Sequence, residues 1–77
     1  MHIEVRLLLT FKELSPNGED PFTLEFPPGV TVAQALESLG IPAEKRKVLV
    51  LNGRMTNNLQ MLKDGDQLTV FPPLEGG

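Results

Sequence analysis

The sequence predicts an α+β roll, a mixed sheet of four to five strands with one main helix packed on one face. Three observations predict it. Segments that alternate apolar and polar residues stand near both ends of the chain, and one stretch of helical periodicity, capped at both ends, lies between them. The resulting order is strand, strand, helix, strand, short strand, strand. A helix that crosses between strands has to lie on one face of the sheet, where it covers the apolar stripe. At 77 residues the chain reads as one domain over residues 1–71 with a flexible tail at 72–77. A chain of this size buries only roughly 60% of the surface its unfolded form exposes, so there is room for one modest core and none for an enclosed catalytic cavity beside it.

The segment from His2 to Leu9 directs Ile3, Val5, Leu7 and Leu9 to one face and Glu4, Arg6 and Leu8 to the other. Thr10 to Leu14 leaves this strand, and residues 15–21 form a polar loop rich in turn residues. Phe22, Leu24 and Phe26 then alternate with Thr23 and Glu25 as a second strand, antiparallel to the first. Pro27-Pro28-Gly29-Val30 suits a type II turn, in which Gly29 supplies the positive φ. Thr31 is the N-cap of a helix over 32–39, with Gln34 completing a capping box and Val30 and Ala35 placed as a hydrophobic staple. Gly40 takes the C′ position, Ile41 reaches back to Leu36 in a Schellman motif, and Pro42 stops the helix.

Ala43 to Lys47 is a charged connector. Val48 to Leu51 is the third strand, Asn52-Gly53 a hairpin, and Arg54 to Thr56 a short returning strand. Residues 57–62 read as one helical turn that tucks Leu59 and Leu62 under the sheet. Lys63-Asp64-Gly65-Asp66 is a turn, and Gln67 to Phe71 is the last strand, with Leu68 and Val70 facing the core. If that strand lies beside the first, Phe71 and Leu8 become exposed neighbours on the uncovered face. Two surplus apolar groups there mark a partner surface.

Composition narrows the function classes. A net charge of −3 argues against nucleic acid, whose binders neutralise phosphates with clustered Lys and Arg. Four Phe without Tyr or Trp make a poor stacking platform for bases. No apolar run approaches the ~20 residues that span a bilayer, and no leader segment opens the chain, so no membrane is expected and the location reads as cytoplasmic. The chain has no cysteine, which excludes disulfides, thiolate nucleophiles and Cys-ligated zinc.

The remaining candidates for chemistry have ordinary structural readings. His2, the single histidine, lacks a triad or metal-ligand spacing and reads as a solvated strand residue. Asp64-Gly65-Asp66 lacks the other ligands of a calcium loop and reads as a turn. Lys45-Arg46-Lys47 reads as a solvated connector, with contact to an acidic partner as the alternative. No metal site and no bound cofactor is expected.

Elimination leaves the tail Phe71-Pro72-Pro73-Leu74-Glu75-Gly76-Gly77. Its carboxylate becomes reactive once a second protein converts it to an acyl-adenylate. Gly76 and Gly77 have no Cβ, so their backbone can thread a narrow channel and a nucleophile can approach the carbonyl. From Pro72 to Gly77 the reach is at most about 20 Å, and Pro72 and Pro73 stiffen the root and reduce the entropy lost on threading.

The ending Leu68-Thr69-Val70-Phe71-Pro72-Pro73-Leu74-Glu75-Gly76-Gly77, after Leu62-Lys63-Asp64-Gly65-Asp66, resembles that of the MoaD/ThiS sulfur carriers, relatives of the molybdopterin synthase small subunit and the thiamine sulfur carrier. The Val50-Leu51-Asn52-Gly53 hairpin and the Pro-Gly-Val-Thr helix entry share the resemblance. It implies a β-grasp, ubiquitin-like fold with the last strand central and parallel to the first. It also implies a non-catalytic carrier whose Gly77 is adenylated by a ubiquitin-activating-type adenylyltransferase using ATP, converted to a thiocarboxylate, and presented to a molybdopterin synthase large subunit or a thiazole synthase. In that scheme Leu8 and Phe71 dock, Pro72, Pro73, Leu74 and Glu75 accompany the tail into the partner, Gly76 gives clearance and Gly77 reacts. The Phe-Pro-Pro stalk leans towards the molybdopterin branch. A thiamine-type carrier and a modifier conjugated to lysines need the same tail, and a non-covalent module binding through Leu8 and Phe71 would ignore it.

Overall fold

The computed structural model describes residues 1–73. Its strands are β1 (His2–Leu7), β2 (Phe22–Glu25), β3 (Val48–Leu51), β4 (Arg54–Met55) and β5 (Gln67–Phe71), with one α-helix, α1 (Val32–Glu37). The sheet has five strands in the order β2-β1-β5-β3-β4. β5 lies in the centre, parallel to β1 and antiparallel to β3, which is the β-grasp arrangement. The central strand is therefore the one that leads into the tail.

Alternation sets the two faces. Ile3, Val5 and Leu7 of β1, Leu49 of β3, and Leu68 and Val70 of β5 are buried together with Val32, Ala35 and Leu36 of α1. Their opposites, Glu4, Arg6, Thr69 and Phe71, lie on the uncovered face.

The caps of α1 form as the sequence requires. The Thr31 backbone N–H donates to Gln34 Oε1 at 2.9 Å, and Gln34 N–H donates to Thr31 Oγ1 at 3.3 Å. At the other end Ile41 N–H donates to Leu36 O and Gly40 N–H to Glu37 O, both at 3.0 Å, the pair of bonds that defines the Schellman motif. Gly40 has φ 84°, which it adopts without the clash a Cβ would bring. Leu36 and Ile41 are both buried in the core.

Four expectations need correction. β1 stops at Leu7: Leu9 takes φ 56° and opens a 3₁₀ segment, Leu9–Leu14, so its side chain points to solvent and Phe11 fills the core instead. α1 ends at Glu37, because residues 38–40 tighten into the Schellman turn. β4 ends at Met55, although Thr56 N–H still donates to Leu49 O at 2.9 Å. Residues 57–62 are not a helical turn: Leu62 is buried, but Leu59 is 83% exposed.

That last segment has a different task. Gln60 O accepts from Val32 N–H at 2.9 Å and Asn58 O accepts from Ala33 N–H at 3.1 Å. These are donors of the first helical turn, which have no partner inside the helix. Backbone carbonyls of 58–60 thus complete the cap that Thr31 begins.

Candidate functional site

Two open grooves flank the end of β5. The first is lined by Leu8, Leu9, Lys12, Asp20 and Phe71. The structure brings Leu8 and Phe71 together here, as their alternation requires. Leu8 follows the last residue of β1, and its N–H donates to Val70 O at 2.9 Å, which extends the parallel ladder to the root of Phe71. Both side chains are half-buried rather than fully exposed, because the 3₁₀ segment folds beside them.

Sequence reasoning missed two residues that line this groove, Leu9 and Asp20, and one that shares the face of Phe71, Val48. Val48 is the direct cross-strand partner of Phe71, and directly opposed residues share a face. Leu9, 64% exposed, is turned to the surface by its left-handed backbone. Asp20 comes from the loop before β2 and lies 3.4 Å from Arg6 Nε. Only Val48 could have been found beforehand, from the register of the last two long strands.

The second groove lies where Pro72 and Pro73 leave the sheet. Its other walls are Thr10 and Phe11 of the 3₁₀ segment and Pro42, Glu44, Lys45 and Arg46 of the connector. Pro72 and Pro73 are half-buried against these walls. Leu74, Glu75, Gly76 and Gly77 lie outside the described residues.

The connector is organised by Lys47. Its Nζ donates to the carbonyl oxygens of Ala43 and Lys45, each at 2.9 Å, and reaches Pro42 O at 3.5 Å. Burial lowers its pKa below the ordinary 10.5, and the Glu44 carboxylate opposes that shift in part. Lys47 is therefore a loop clasp and not the solvated cation its charged run suggests.

The other candidates stay structural. His2 is exposed, 3.8 Å from the exposed carboxylate of Asp64, and its backbone N–H donates to Asp64 Oδ1 at 2.6 Å. Asp66 is buried and accepts from Asn52 and from the Lys63 backbone. No cluster of three or more His, Cys, Asp or Glu suited to a metal ion occurs among the described residues. No helix among them is long and apolar enough to cross a membrane. Chemically, the arrangement offers two open grooves at the end of β5, with no assembled acid, base or nucleophile between them among the described residues.

Comparison with known proteins adds the family. The sequence model of the ThiS family matches residues 5–77. The molybdopterin synthase sulfur carrier subunit of Arabidopsis thaliana is 30% identical over 97% of this chain and 84% of its own length. The solution structure of the Haloferax volcanii HVO 2177 protein superposes with a TM-score of 0.81 at 26% identity, over 100% of this chain and 87% of that one. A chain from the complex of subunits 1 and 2 of the Helicobacter pylori molybdopterin-converting factor superposes at 0.65 with 27% identity, over 100% of both chains.

Proposed function

This chain belongs to the ThiS family, and from that premise we propose that it is a sulfur carrier for molybdopterin synthesis, a non-catalytic small subunit whose Gly77 carboxylate is converted to a thiocarboxylate. The observation that carries the reading is the path of β5. The central strand delivers Phe71 to the Leu8 groove and Pro72-Pro73 to the second groove, so the same backbone that anchors the core leads into the tail. The carrier subunit among its relatives favours the molybdopterin branch.

In the proposed sequence a Gly77 carboxylate oxygen attacks the α-phosphorus of ATP on an activating enzyme, and pyrophosphate leaves. The terminal sulfur of a persulfide then attacks the acyl carbon and AMP leaves with the bonding electron pair. A thiol reduces the S–S bond of the resulting acyl disulfide, which frees the thiocarboxylate. In the synthase the thiocarboxylate sulfur attacks a carbon of the precursor, a carbon–oxygen bond at that carbon breaks and its oxygen leaves with the electron pair. Water then cleaves the acyl–sulfur bond to restore the carboxylate and leave the sulfur on the product. This chain contributes the acyl group, the unhindered Gly76-Gly77 backbone and the Leu8–Phe71 docking surface. With no cysteine of its own, it carries sulfur only on that acyl group.

Reconstitution tests the branch. Thiocarboxylated chain is mixed with a molybdopterin synthase large subunit or a thiazole synthase, each with its precursor. Sulfur incorporation with the large subunit is the expected result. Incorporation with the thiazole synthase alone, or recovery of Gly-Gly remnants on lysines of other proteins, overturns it in favour of the corresponding alternative.

A further inference from the structure

The wall of the second groove is a segment without regular secondary structure, residues 42–47, yet it is tied from two sides. Lys47 Nζ binds the carbonyls of Ala43 and Lys45 from within the loop. Asn58 Nδ2 donates to the same Ala43 oxygen at 2.9 Å from the segment that caps α1. Lysine at a surface ordinarily keeps its strongly hydrated ammonium in water, and an ammonium has three donors and no acceptor. Here those donors are turned onto the loop's own carbonyls, which fixes its shape at the cost of desolvating the charge.

The place of this loop gives the clasp a use beyond folding. It forms one groove with Pro72 and Pro73. From Pro73 to Gly77 the chain spans at most about 17 Å, so an enzyme that holds the Gly77 carboxylate in its active site lies within that distance of the groove. The lining is apolar at Phe11, Pro42, Pro72 and Pro73 and carries charges of both signs at Glu44, Lys45 and Arg46. That combination fits a loop of the activating enzyme that lays an apolar side chain against the prolines and Phe11 and sets polar groups against the mixed charges of the connector.

Building on the sulfur-carrier reading, we propose that Lys47 is a positioning residue for the activation step: it holds the 42–46 loop in the form the activating enzyme grips while Gly77 is adenylated. Lys47→Met keeps the aliphatic stem and deletes the ammonium. ATP–pyrophosphate exchange by a matching activating enzyme, with this chain as the varied substrate, is the assay.

The KM for Lys47→Met rises about tenfold with kcat unchanged, because grip is lost and chemistry is not. Asn58→Ala moves KM in the same direction, Lys47→Arg restores most of it, and Lys63→Met, at the far end of β5, leaves it unchanged. Circular dichroism and Tm establish that each variant is folded. A folded Lys47→Met with the wild-type KM overturns the proposal, even if its Tm is lower, and reduces the clasp to a stabilising contact. Absence of exchange with the wild-type chain overturns the carrier reading and this proposal with it, so the two failures are distinguishable.

Discussion

The Asn52 side chain donates through Nδ2 to Asp66 Oδ1 at 2.9 Å and accepts through Oδ1 from the Gln67 N–H at 2.8 Å. The Asn52 backbone N–H completes the contact with Gln67 O at 2.8 Å, and Asp66 Oδ2 accepts from Lys63 N–H at 2.7 Å. The Asn-Gly hairpin and the Asp-Gly-Asp turn are thus one clamp across the start of β5. A slip of one residue in that central strand would exchange its buried and uncovered faces, and the clamp fixes the register that presents Phe71.

Asp66→Ala removes the acceptor for both Asn52 and Lys63. Losing these two part-buried hydrogen bonds, at roughly 0.5–1.5 kcal/mol each, costs about 1–3 kcal/mol, which for a domain of this size lowers Tm by roughly 4–8 °C per kcal/mol. Asp64→Ala, at an exposed residue, costs less. Urea unfolding of the two variants checks the order, and equal small losses contradict the clamp.

The clamp also shows where the sequence was legible. Both turns were readable from their residues, but their union was not, since side-chain bonds between distant turns leave no periodic signal. The strands and the caps of α1 were legible because alternation, a capping box and a C′ glycine act locally. The departure of the chain at Leu9 was not, because an apolar residue there continues the alternation set by Ile3, Val5 and Leu7. Residues 58–60 act through backbone carbonyls, which any sequence provides. In the site, Leu8 and Phe71 followed from strand parity. Lys47 did not, because nothing in a run of three cations says which one turns inward.

Leu9 provides a test of backbone strain. A left-handed leucine costs about 1–2 kcal/mol, and glycine at the same position loses roughly 0.5–1 kcal/mol through its freer unfolded state. Leu9→Gly is therefore as stable as the wild type or more stable by up to about 1.5 kcal/mol. Denaturant midpoints measure this. A loss above about 1 kcal/mol would show that the exposed side chain packs more than its position implies.

Lys47 makes a pH-dependent contribution to stability with a definite sign, because burial penalises its charged form. Its folded pKa lies below the ordinary 10.5, so between the two values the unfolded chain binds more protons than the folded one. Its contribution to stability therefore rises with pH through that window, is full above 10.5, and is lost as pH falls through the folded value. The Tm difference, wild type minus Lys47→Met, increases as pH is raised from neutrality towards 10.5. A flat or decreasing difference contradicts the assignment.

The uncovered face separates docking from activation. Leu8→Ala and Phe71→Ala each weaken capture of the synthase large subunit by about tenfold or more, because half-buried apolar anchors contribute on the order of 1–2 kcal/mol each at an interface. Isothermal calorimetry against the large subunit measures it. Wild-type affinity in both folded variants would remove this face from the interface.

Intact-mass spectrometry of the chain after incubation with a matching activating enzyme, ATP and a sulfur donor tests the central claim most directly. The account predicts replacement of one oxygen by sulfur, located to Gly77 by fragmentation and absent when Gly77 is deleted. A chain that remains unmodified, beside an enzyme that loads another carrier in the same mixture, contradicts it.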